Sequence, residues 1–187
     1  MVVATQLGVK ATVFYLAVYL MMNLAAFAVI VVRERETGLG DDISSVQGLG
    51  AQHPLLAMAM TLAMLGLSGI PATAGFIGKF YLIDAAVDGG YTWLGVVIVI
   101  GSMVSLAYYL KVIAAMWMLD APVPGTALAT GRPAMAGGSP EADAARAQPE
   151  TWAVALLFGG ATLFFGIVPS PLFDLAVDAG RAFPGLF

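Results

Sequence analysis

Long apolar segments separated by polar loops dominate the hydrophobic pattern of this 187-residue chain. Apolar runs of about 17–25 residues are long enough to cross roughly 30 Å of hydrocarbon as α-helices. Three such runs are uninterrupted, and they cover about residues 12–32, 93–119 and 152–168. Tyr91 and Trp93, at the start of the second of these runs, are typical of the interface between hydrocarbon and water. The pattern therefore predicts three simple membrane-spanning helices.

A further apolar segment, between the first two of these runs, is too long for one simple crossing. It covers about residues 54–87 and would extend about 50 Å as one helix at 1.5 Å per residue. Near its middle, Pro71 removes a backbone donor, and neighbouring glycines relax the limits on the backbone dihedral angles. These glycines are Gly69, Gly75 and Gly78. We predict two half-helices, 54–69 and 75–87, joined by a break at membrane depth.

Together the segments predict an all-α fold: a polytopic transmembrane helical bundle of about four membrane-crossing segments, the second of them discontinuous. We expect residues 1–187 to be a single membrane domain cut from a larger unit, because the first residues resemble a loop caught midway and lack a secretory signal pattern. The stretch 120–151, with five prolines, is predicted to be a flexible cytoplasmic loop.

The distribution of basic residues predicts the orientation in the membrane. Five lie on one predicted side and two on the other: Arg33, Arg35, Lys111, Arg132 and Arg146 against Lys10 and Arg181. This bias places the 33–53 and 120–151 loops in the cytoplasm and both termini outside. The acidic and basic residues of the C-terminal segment predict a short amphipathic tail at the outer interface: Asp174, Asp178 and Arg181.

Composition narrows the classes of function. The chain is 60% hydrophobic and 11% charged, against about 25% charged residues in a soluble domain. Its scattered basic residues form no stripe of the kind that binds a phosphate backbone, so nucleic acid is excluded as a partner. No cysteine and one histidine exclude a thiolate-bound iron–sulfur cluster and a bis-histidine haem. Any redox cofactor must therefore belong to another chain.

Lys79 is the residue that points most directly to function, because it lies inside a membrane-length apolar segment just after the predicted break. An ammonium group at the centre of a bilayer costs about 2.5–3.5 kcal/mol on insertion scales. Broken helices at membrane depth border cavities that hold transported ions. The position therefore predicts a proton or ion site, with Ser68, Thr73, Tyr81 and cavity waters as candidate hydrogen-bond partners.

Structural interpretations of the same residues stay open. Lys79 could extend to a membrane face or pair with Asp84, although a spacing of five residues is poor for one helix face. His53, before a proline, could be an interfacial cap, and Lys111 could extend from a helix end to the interface. Ser102 is typical of an interhelical hydrogen-bond partner.

Several short motifs, in order along nearly the whole chain, resemble one family of membrane proteins. They are Phe14-Tyr15-Leu16-Ala17-Val18-Tyr19, Asn23-Leu24-Ala25-Ala26-Phe27-Ala28, His53-Pro54-Leu55, Leu67-Ser68-Gly69-Ile70-Pro71, Gly75-Phe76-Ile77-Gly78-Lys79-Phe80-Tyr81 and Tyr108-Tyr109-Leu110. Together they resemble subunit N of proton-pumping NADH:quinone oxidoreductase, respiratory complex I. The lysine in Gly-Phe-Ile-Gly-Lys-Phe distinguishes this subunit from the related subunit M, which usually has glutamate there.

The resemblance implies that the chain is the C-terminal part of an antiporter-like subunit, with Lys79 as the proton relay. The break would be shaped by Gly69, Pro71, Gly75 and Gly78, and further residues of a possible proton path would be Ser68, Thr73, Tyr81, Tyr108, Lys111 and His53. The family's other charged groups would lie upstream of Met1, so the chain would be either a fragment of a longer subunit or a split product that pairs with its other half.

The same resemblance implies a multi-pass protein of the bacterial inner membrane. Its partners would be the lipid bilayer, the other membrane subunits of complex I and the upstream part of the same subunit. Electrons would pass from NADH through FMN and iron–sulfur clusters to quinone on partner subunits, with no cofactor in this chain. Two alternatives remain: a subunit of a cation/proton antiporter or energy-converting hydrogenase, and a structural membrane protein that transports nothing.

Overall fold

The computed structural model of the protein describes residues 6–37, 39, 42–121 and 149–181. Within these residues the regular structure is helical and contains no strand, so the all-α prediction is confirmed. The elements are α1 (Gln6–Thr37), a 3-10 turn (Ile43–Val46), α2 (Leu49–Gln52), α3 (Pro54–Ser68), α4 (Ala74–Asp88), α5 (Thr92–Met118), α6 (Pro149–Ile167) and α7 (Ser170–Arg181).

Three helices of the described residues are long and apolar enough to span a membrane. They cover Leu7–Thr37, Thr92–Met118 and Pro149–Ile167. The helices α3 and α4 have 15 residues each, so each is about 22 Å long and too short for a crossing of roughly 30 Å. The chain leaves helical geometry between them. That α3 and α4 together make one crossing stays a prediction.

The first helix extends beyond the predicted 12–32 segment at both ends. The prediction stopped between the charges of Lys10 and Arg33, yet α1 continues past both residues. Near its start, the Thr12 hydroxyl donates a hydrogen bond to the carbonyl of Gly8 at 2.7 Å. Near its end, the Arg33 side chain is buried. Charged residues end an apolar run, but they do not end a helix whose backbone hydrogen bonds continue.

The predicted 33–53 loop is folded around the side chain of Arg33, which is only 2% exposed. Its Nε donates to the carbonyl of Ser45 at 3.0 Å, and its Nη1 donates to Gln52 Oε1 at 2.7 Å and to Glu36 Oε2 at 2.9 Å. A guanidinium is always charged, so its burial requires such acceptors. The 3-10 turn and α2 therefore form around a residue that hydropathy treats as an interfacial charge.

The start of α6 differs slightly from the prediction. The helix begins at Pro149, three residues before the predicted position 152. Proline suits the first position of a helix, where the N–H group has no partner, and Glu150 in the first turn interacts favourably with the helix dipole. Residues 122–148 of the predicted flexible loop, including Arg132 and Arg146, lie outside the described residues.

The predicted amphipathic tail forms the helix α7. Leu172 and Ala176 are buried, whereas Asp174 and Leu175 are exposed. The helix packs against α1 and α6. The side chains of Asp178 and Arg181 lie outside the described part of the chain.

The described residues form two hydrophobic clusters, and α1 contributes to both. The first cluster joins α1 to α3, α5 and α6, and its buried residues include Val29, Leu56, Met60, Met116 and Ala155. We call the other the second cluster; its buried residues are Phe14, Val18, Met22, Ala74, Leu172 and Ala176. In contrast, α5 has many exposed apolar side chains, as expected for a helix that faces lipid or another membrane helix.

Gly159 of α6 allows close packing against α3, and its replacement tests that contact. A Cβ atom at this position would lie 2.9 Å from Cα and Cβ of Ala59. We expect Gly159→Ala to destabilise the protein by about 1–3 kcal/mol, because a backbone atom cannot move aside cheaply. Gly160→Ala is the matched control, since nothing described lies within 4 Å of its Cβ position. Equal thermal unfolding midpoints for the two variants of the full-length protein in detergent would contradict this packing.

Arg33 is predicted to anchor the segment between α1 and α3. We expect Arg33→Ala to destabilise the protein by about 1–3 kcal/mol, because it leaves the carbonyl of the buried Ser45 without its donor. Arg35→Ala, which removes an exposed arginine of the same helix turn, should change stability by no more than about 0.5 kcal/mol. Chemical unfolding of the full-length protein in detergent measures both, and a small effect at Arg33 would argue against the anchor.

Candidate functional site

The end of α3 is a Schellman motif centred on Gly69. This residue has φ 83° and ψ 41°, in the left-handed region that glycine adopts without strain. Its N–H donates to the carbonyl of Gly66 at 3.0 Å, and the N–H of Ile70 donates to the carbonyl of Leu65 at 3.1 Å. These bonds satisfy two of the last four carbonyls of α3, which have no partner within a regular helix.

Lys79 satisfies the other two carbonyls at this helix end. Its Nζ donates to the carbonyl of Leu67 at 2.7 Å and to that of Ser68 at 3.2 Å. The usual donor to the Leu67 carbonyl would be the N–H of residue 71, but Pro71 has none. A cation is also favoured at the negative C-terminal end of a helix dipole. The lysine of α4 therefore completes the hydrogen bonding of α3 across the break.

The chain returns to helical geometry through a strained residue. Ala72 has φ 73°, which is uncommon for a residue with a side chain and costs of order 1–3 kcal/mol. The next residue, Thr73, is the N-cap of α4, but its hydroxyl donates to the carbonyl of Ile70 at 2.6 Å and does not cap the helix. The break is thus held by its own internal bonds.

Two glycines allow other backbone segments to approach the break closely. A Cβ atom at Gly75 would overlap the carbonyl oxygen of Gly66, so the start of α4 lies directly on the end of α3. A Cβ atom at Gly166 of α6 would lie 2.5 Å from Cα of Thr73. Larger residues at these positions would push the helices apart and separate Lys79 from its carbonyl partners.

A cavity of about 290 Å³ lies beside Lys79, between the break and α5. Most of its lining is apolar, and the hydroxyl-bearing residues in the lining are Ser68 and Ser102. The Ser68 hydroxyl donates to the carbonyl of Leu65 at 2.7 Å, and the Ser102 hydroxyl donates to the carbonyl of Ile98 at 2.8 Å. The predicted broken segment thus borders a space with a cation and two hydroxyl oxygens.

The other predicted path residues of this half of the bundle lie away from Lys79 Nζ. The ring of Tyr81 belongs to the second cluster, where its centroid lies 5.8 Å from that of Phe14 and 4.8 Å from that of Phe173. Tyr108 is 67% exposed, and Lys111 is also exposed. The Ser68 carbonyl therefore accepts a hydrogen bond from Lys79. The side chains of Tyr81, Tyr108 and Lys111 make no hydrogen bond to Lys79 within the described part of the chain.

His53 lies at the opposite end of α3 from Lys79, about 22 Å away along the helix axis. Its Nε2 is 3.4 Å from Glu36 Oε1, and its ring centroid is 5.3 Å from that of Trp152 in an edge-to-face arrangement. It therefore belongs to the cluster around Arg33. His53 is the N-cap residue of α3, but its side chain makes no capping hydrogen bond, and its position at the interface stays a prediction.

The predicted alternative of an ion pair between Lys79 and Asp84 is not found among the described residues. The ion pairs of the described residues are Arg33–Glu36 and His53–Glu36, and the lysine takes part in neither. Asp84 is exposed on α4. The Lys79 ammonium is directed to the carbonyls at the break rather than along the helix to a membrane face.

Tyr109, rather than its neighbour Tyr108, lies on the inner side of α5. It packs against the first cluster, and on α1 the rings of Tyr15 and Tyr19 stack with centroids 5.9 Å apart. Adjacent residues of a helix point about 100° apart, so only one of two neighbouring tyrosines can face a given partner. The Tyr108-Tyr109-Leu110 motif alone did not show which of the two tyrosines faces the inside of the bundle.

Comparison with known proteins identifies the family. The sequence profile described as NADH:quinone oxidoreductase/Mrp antiporter, TM, matches residues 1–105, which is more than half of the chain. The chain belongs to this family of multi-pass membrane proteins.

Individual relatives carry the name NADH-quinone oxidoreductase subunit N, which confirms the resemblance found in the sequence. The relative from Trichlorobacter lovleyi is 46% identical over 113 residues, which are 60% of this chain and 23% of that protein. The relative from Desulfitobacterium hafniense is 34% identical over 175 residues, which are 94% of this chain and 32% of that protein. The chain thus spans less than a third of the length of either relative.

Two solved structures share the fold. A chain of respiratory complex I from Thermus thermophilus superposes with a TM-score of 0.67 and 25% identity, over 89% of this chain and 34% of that chain. A chain of the Mrp complex from Dietzia sp. DQ12-45-1b superposes with a TM-score of 0.69 and 25% identity, over 94% of this chain and 38% of that chain. The helix arrangement is therefore common to membrane chains of two kinds of complex.

Gly69→Ala should disturb the Lys79 site, and Gly90→Ala provides a matched control. Both glycines have positive φ, 83° and 79°, so alanine strains the backbone similarly, by about 1–2 kcal/mol. Only at Gly69 would the added Cβ meet the lysine, 3.0 Å from Cδ and 3.3 Å from Nζ. Displacement of the ammonium should cost about 1.5–3 kcal/mol more. Equal unfolding midpoints for the two variants would show that the lysine bonds add no stability.

Proposed function

We propose that this family member is the C-terminal part of a proton-translocating membrane subunit of NADH:quinone oxidoreductase, in which Lys79 takes up and releases the transported proton. The observation that carries the proposal is the position of this amine, bonded across the helix break and lining a mostly apolar cavity of the bundle. The relatives named subunit N support the choice of complex.

The chemistry of the amine suits a relay. A protonated lysine has three N–H groups and a neutral lysine has two, together with a lone pair. Both forms can therefore keep the two bonds to the carbonyls of Leu67 and Ser68. Only the third position on the nitrogen changes: it holds an N–H group in the protonated form and the lone pair in the neutral form. Because the surrounding backbone keeps its bonds in both states, the protonation change requires little rearrangement of the break.

The proposal assigns this chain to proton transfer and assigns electron transfer to its partners. NADH, FMN, the iron–sulfur clusters and quinone would bind to other subunits of the complex. The chain would lie in the bacterial inner membrane, beside other membrane subunits and the upstream part of its own subunit. A chain shorter than a third of its relatives contributes one segment of the proton path, and the remaining segments come from those neighbours.

A subunit of an Mrp-type cation/proton antiporter is the second candidate, and the similarity to the Dietzia Mrp complex favours it. The two functions differ in the energy source for proton movement, which is electron transfer for a complex I subunit and cation exchange for an antiporter subunit. Membrane vesicles that contain the assembled complex distinguish them, because a complex I subunit supports acidification driven by NADH oxidation, whereas an antiporter subunit supports proton movement in exchange for sodium.

Replacement of Lys79 tests the relay. We expect Lys79→Ala to slow proton transfer through this site by about 100-fold or more, because no side chain at this position can then exchange a proton. Proton translocation per NADH oxidised, measured in vesicles, should fall. Lys10→Ala, near the start of α1, is the control lysine. A normal proton yield from assembled Lys79→Ala complex would exclude the relay.

A second replacement separates the relay from the helix cap. Lys79→Arg keeps a cation and several N–H donors for the carbonyls of α3, but a guanidinium does not lose its proton in proteins. We expect this variant to assemble normally, as judged by NADH oxidation with an artificial electron acceptor, and to translocate fewer protons. Full translocation by Lys79→Arg would mean that Lys79 only caps the helix.

A further inference from the structure

The hydrogen bonds at the break leave one position of the Lys79 nitrogen without a described partner. Two N–H groups donate to the carbonyls of Leu67 and Ser68. The third N–H of the ammonium also needs an acceptor, because an unpaired charged donor away from water is costly. Lys79 lines the cavity between the break and α5, so that acceptor has to be found there.

The cavity has room for water but few groups that could hold it. Its volume of about 290 Å³ is several times the roughly 30 Å³ that one water molecule occupies in the liquid. A buried water needs two to four polar partners. Apart from the lysine, the hydroxyl oxygens of Ser68 and Ser102 are the polar side-chain atoms of the described lining.

The two serines offer acceptors rather than donors. Each hydroxyl hydrogen is already engaged with a carbonyl of its own helix, that of Leu65 for Ser68 and that of Ile98 for Ser102. A hydroxyl oxygen that donates in this way still has lone pairs. A water that accepts a hydrogen bond from Lys79 could therefore donate one to either oxygen. Ser68 lies on the same helix end as the carbonyl partners, whereas Ser102 is on the facing helix, α5.

The opposite side of the break is filled by apolar side chains. A Cβ atom at Gly66 would lie 2.6 Å from the sulfur of Met22, and one at Gly75 would lie 3.1 Å from the same sulfur. Met22 belongs to the second cluster, together with Phe14 and Ala74. Because this side of the break is tightly packed, water would reach the lysine from the cavity.

We propose that Ser102 is a positioning residue for proton exchange at Lys79, an inference that rests on the proposed function. Its hydroxyl oxygen accepts a hydrogen bond from the water that faces the third position of the lysine nitrogen. The ammonium gives its third proton to this water and keeps its two carbonyl bonds as a neutral amine. The water, now a hydronium ion, passes a proton to a second water in the cavity, and the reverse sequence reloads the lysine.

Ser105 provides a matched control for the functional test. It lies one turn further along α5, its hydroxyl donates to the carbonyl of Gly101 at the same 2.8 Å, and it does not line the cavity. We expect Ser102→Ala to slow proton translocation per assembled complex by about two- to tenfold, the effect of one lost hydrogen bond. Ser102→Thr should restore it, and Ser105→Ala should not change it. Normal translocation by Ser102→Ala would overturn the inference.

Thiol labelling tests the hydration of the cavity independently of pumping. The chain contains no cysteine, so Ser102→Cys and Ser105→Cys each introduce one reactive group into it. A water-soluble maleimide reacts with a thiolate, which requires water around the sulfur. Mass spectrometry of this chain from the intact complex should find more label at position 102 than at 105, because Ser105 lies among exposed apolar side chains of α5 that lipid or another membrane helix would cover. An unlabelled Ser102→Cys would overturn the inference even if Ser102→Ala fails to assemble.

The outcomes separate this inference from the function on which it rests. If Lys79→Ala stops translocation while Ser102→Ala does not change it, the relay stands and the role of Ser102 is wrong. If assembled Lys79→Ala translocates normally, the relay itself is wrong, and the labelling at Ser102 then reports only a hydrated cavity.

Discussion

The hydrogen bonds from Lys79 to the end of α3 are the interaction on which the rest of the site depends. Pro71 leaves the Leu67 carbonyl without its helical donor, and the Schellman motif at Gly69 cannot supply one. An unsatisfied backbone group in hydrocarbon costs several kcal/mol. The break is stable within the apolar bundle because a lysine donates across it, and the lysine is stable there because the helix end accepts. Each feature would be unfavourable without the other.

Close packing holds this arrangement in one geometry. Gly75 lies directly on the Gly66 carbonyl, Gly166 brings α6 against Thr73, and Ala72 keeps a strained backbone angle between them. Strain of this kind persists only where the surroundings determine the conformation. The break is therefore a rigid part of the bundle, and the amine can change its protonation while the backbone around it remains fixed.

Hydropathy and helix-breaking residues were enough to predict the helices and the interruption between α3 and α4, because both follow from local chemistry. The partners of that lysine were not predictable, since the sequence suggested hydroxyls and the structure uses the carbonyls of Leu67 and Ser68. Burial of Arg33 was also missed, because hydropathy counts a charge without knowing whether a folded loop surrounds it. Which of two adjacent tyrosines faces inward depends on helix rotation, which tertiary packing determines.

The two ends of α3 explain why the site stays at one depth. The helix is about 22 Å long and cannot fix its own position across roughly 30 Å of hydrocarbon. At its N-terminal end, His53 approaches Glu36, which is bonded to the buried Arg33. At its C-terminal end, Lys79 holds the last carbonyls. Sliding of α3 along its axis would separate His53 from Glu36 at one end or break the lysine hydrogen bonds at the other, so the contacts around Arg33 help to determine where the proposed proton relay lies.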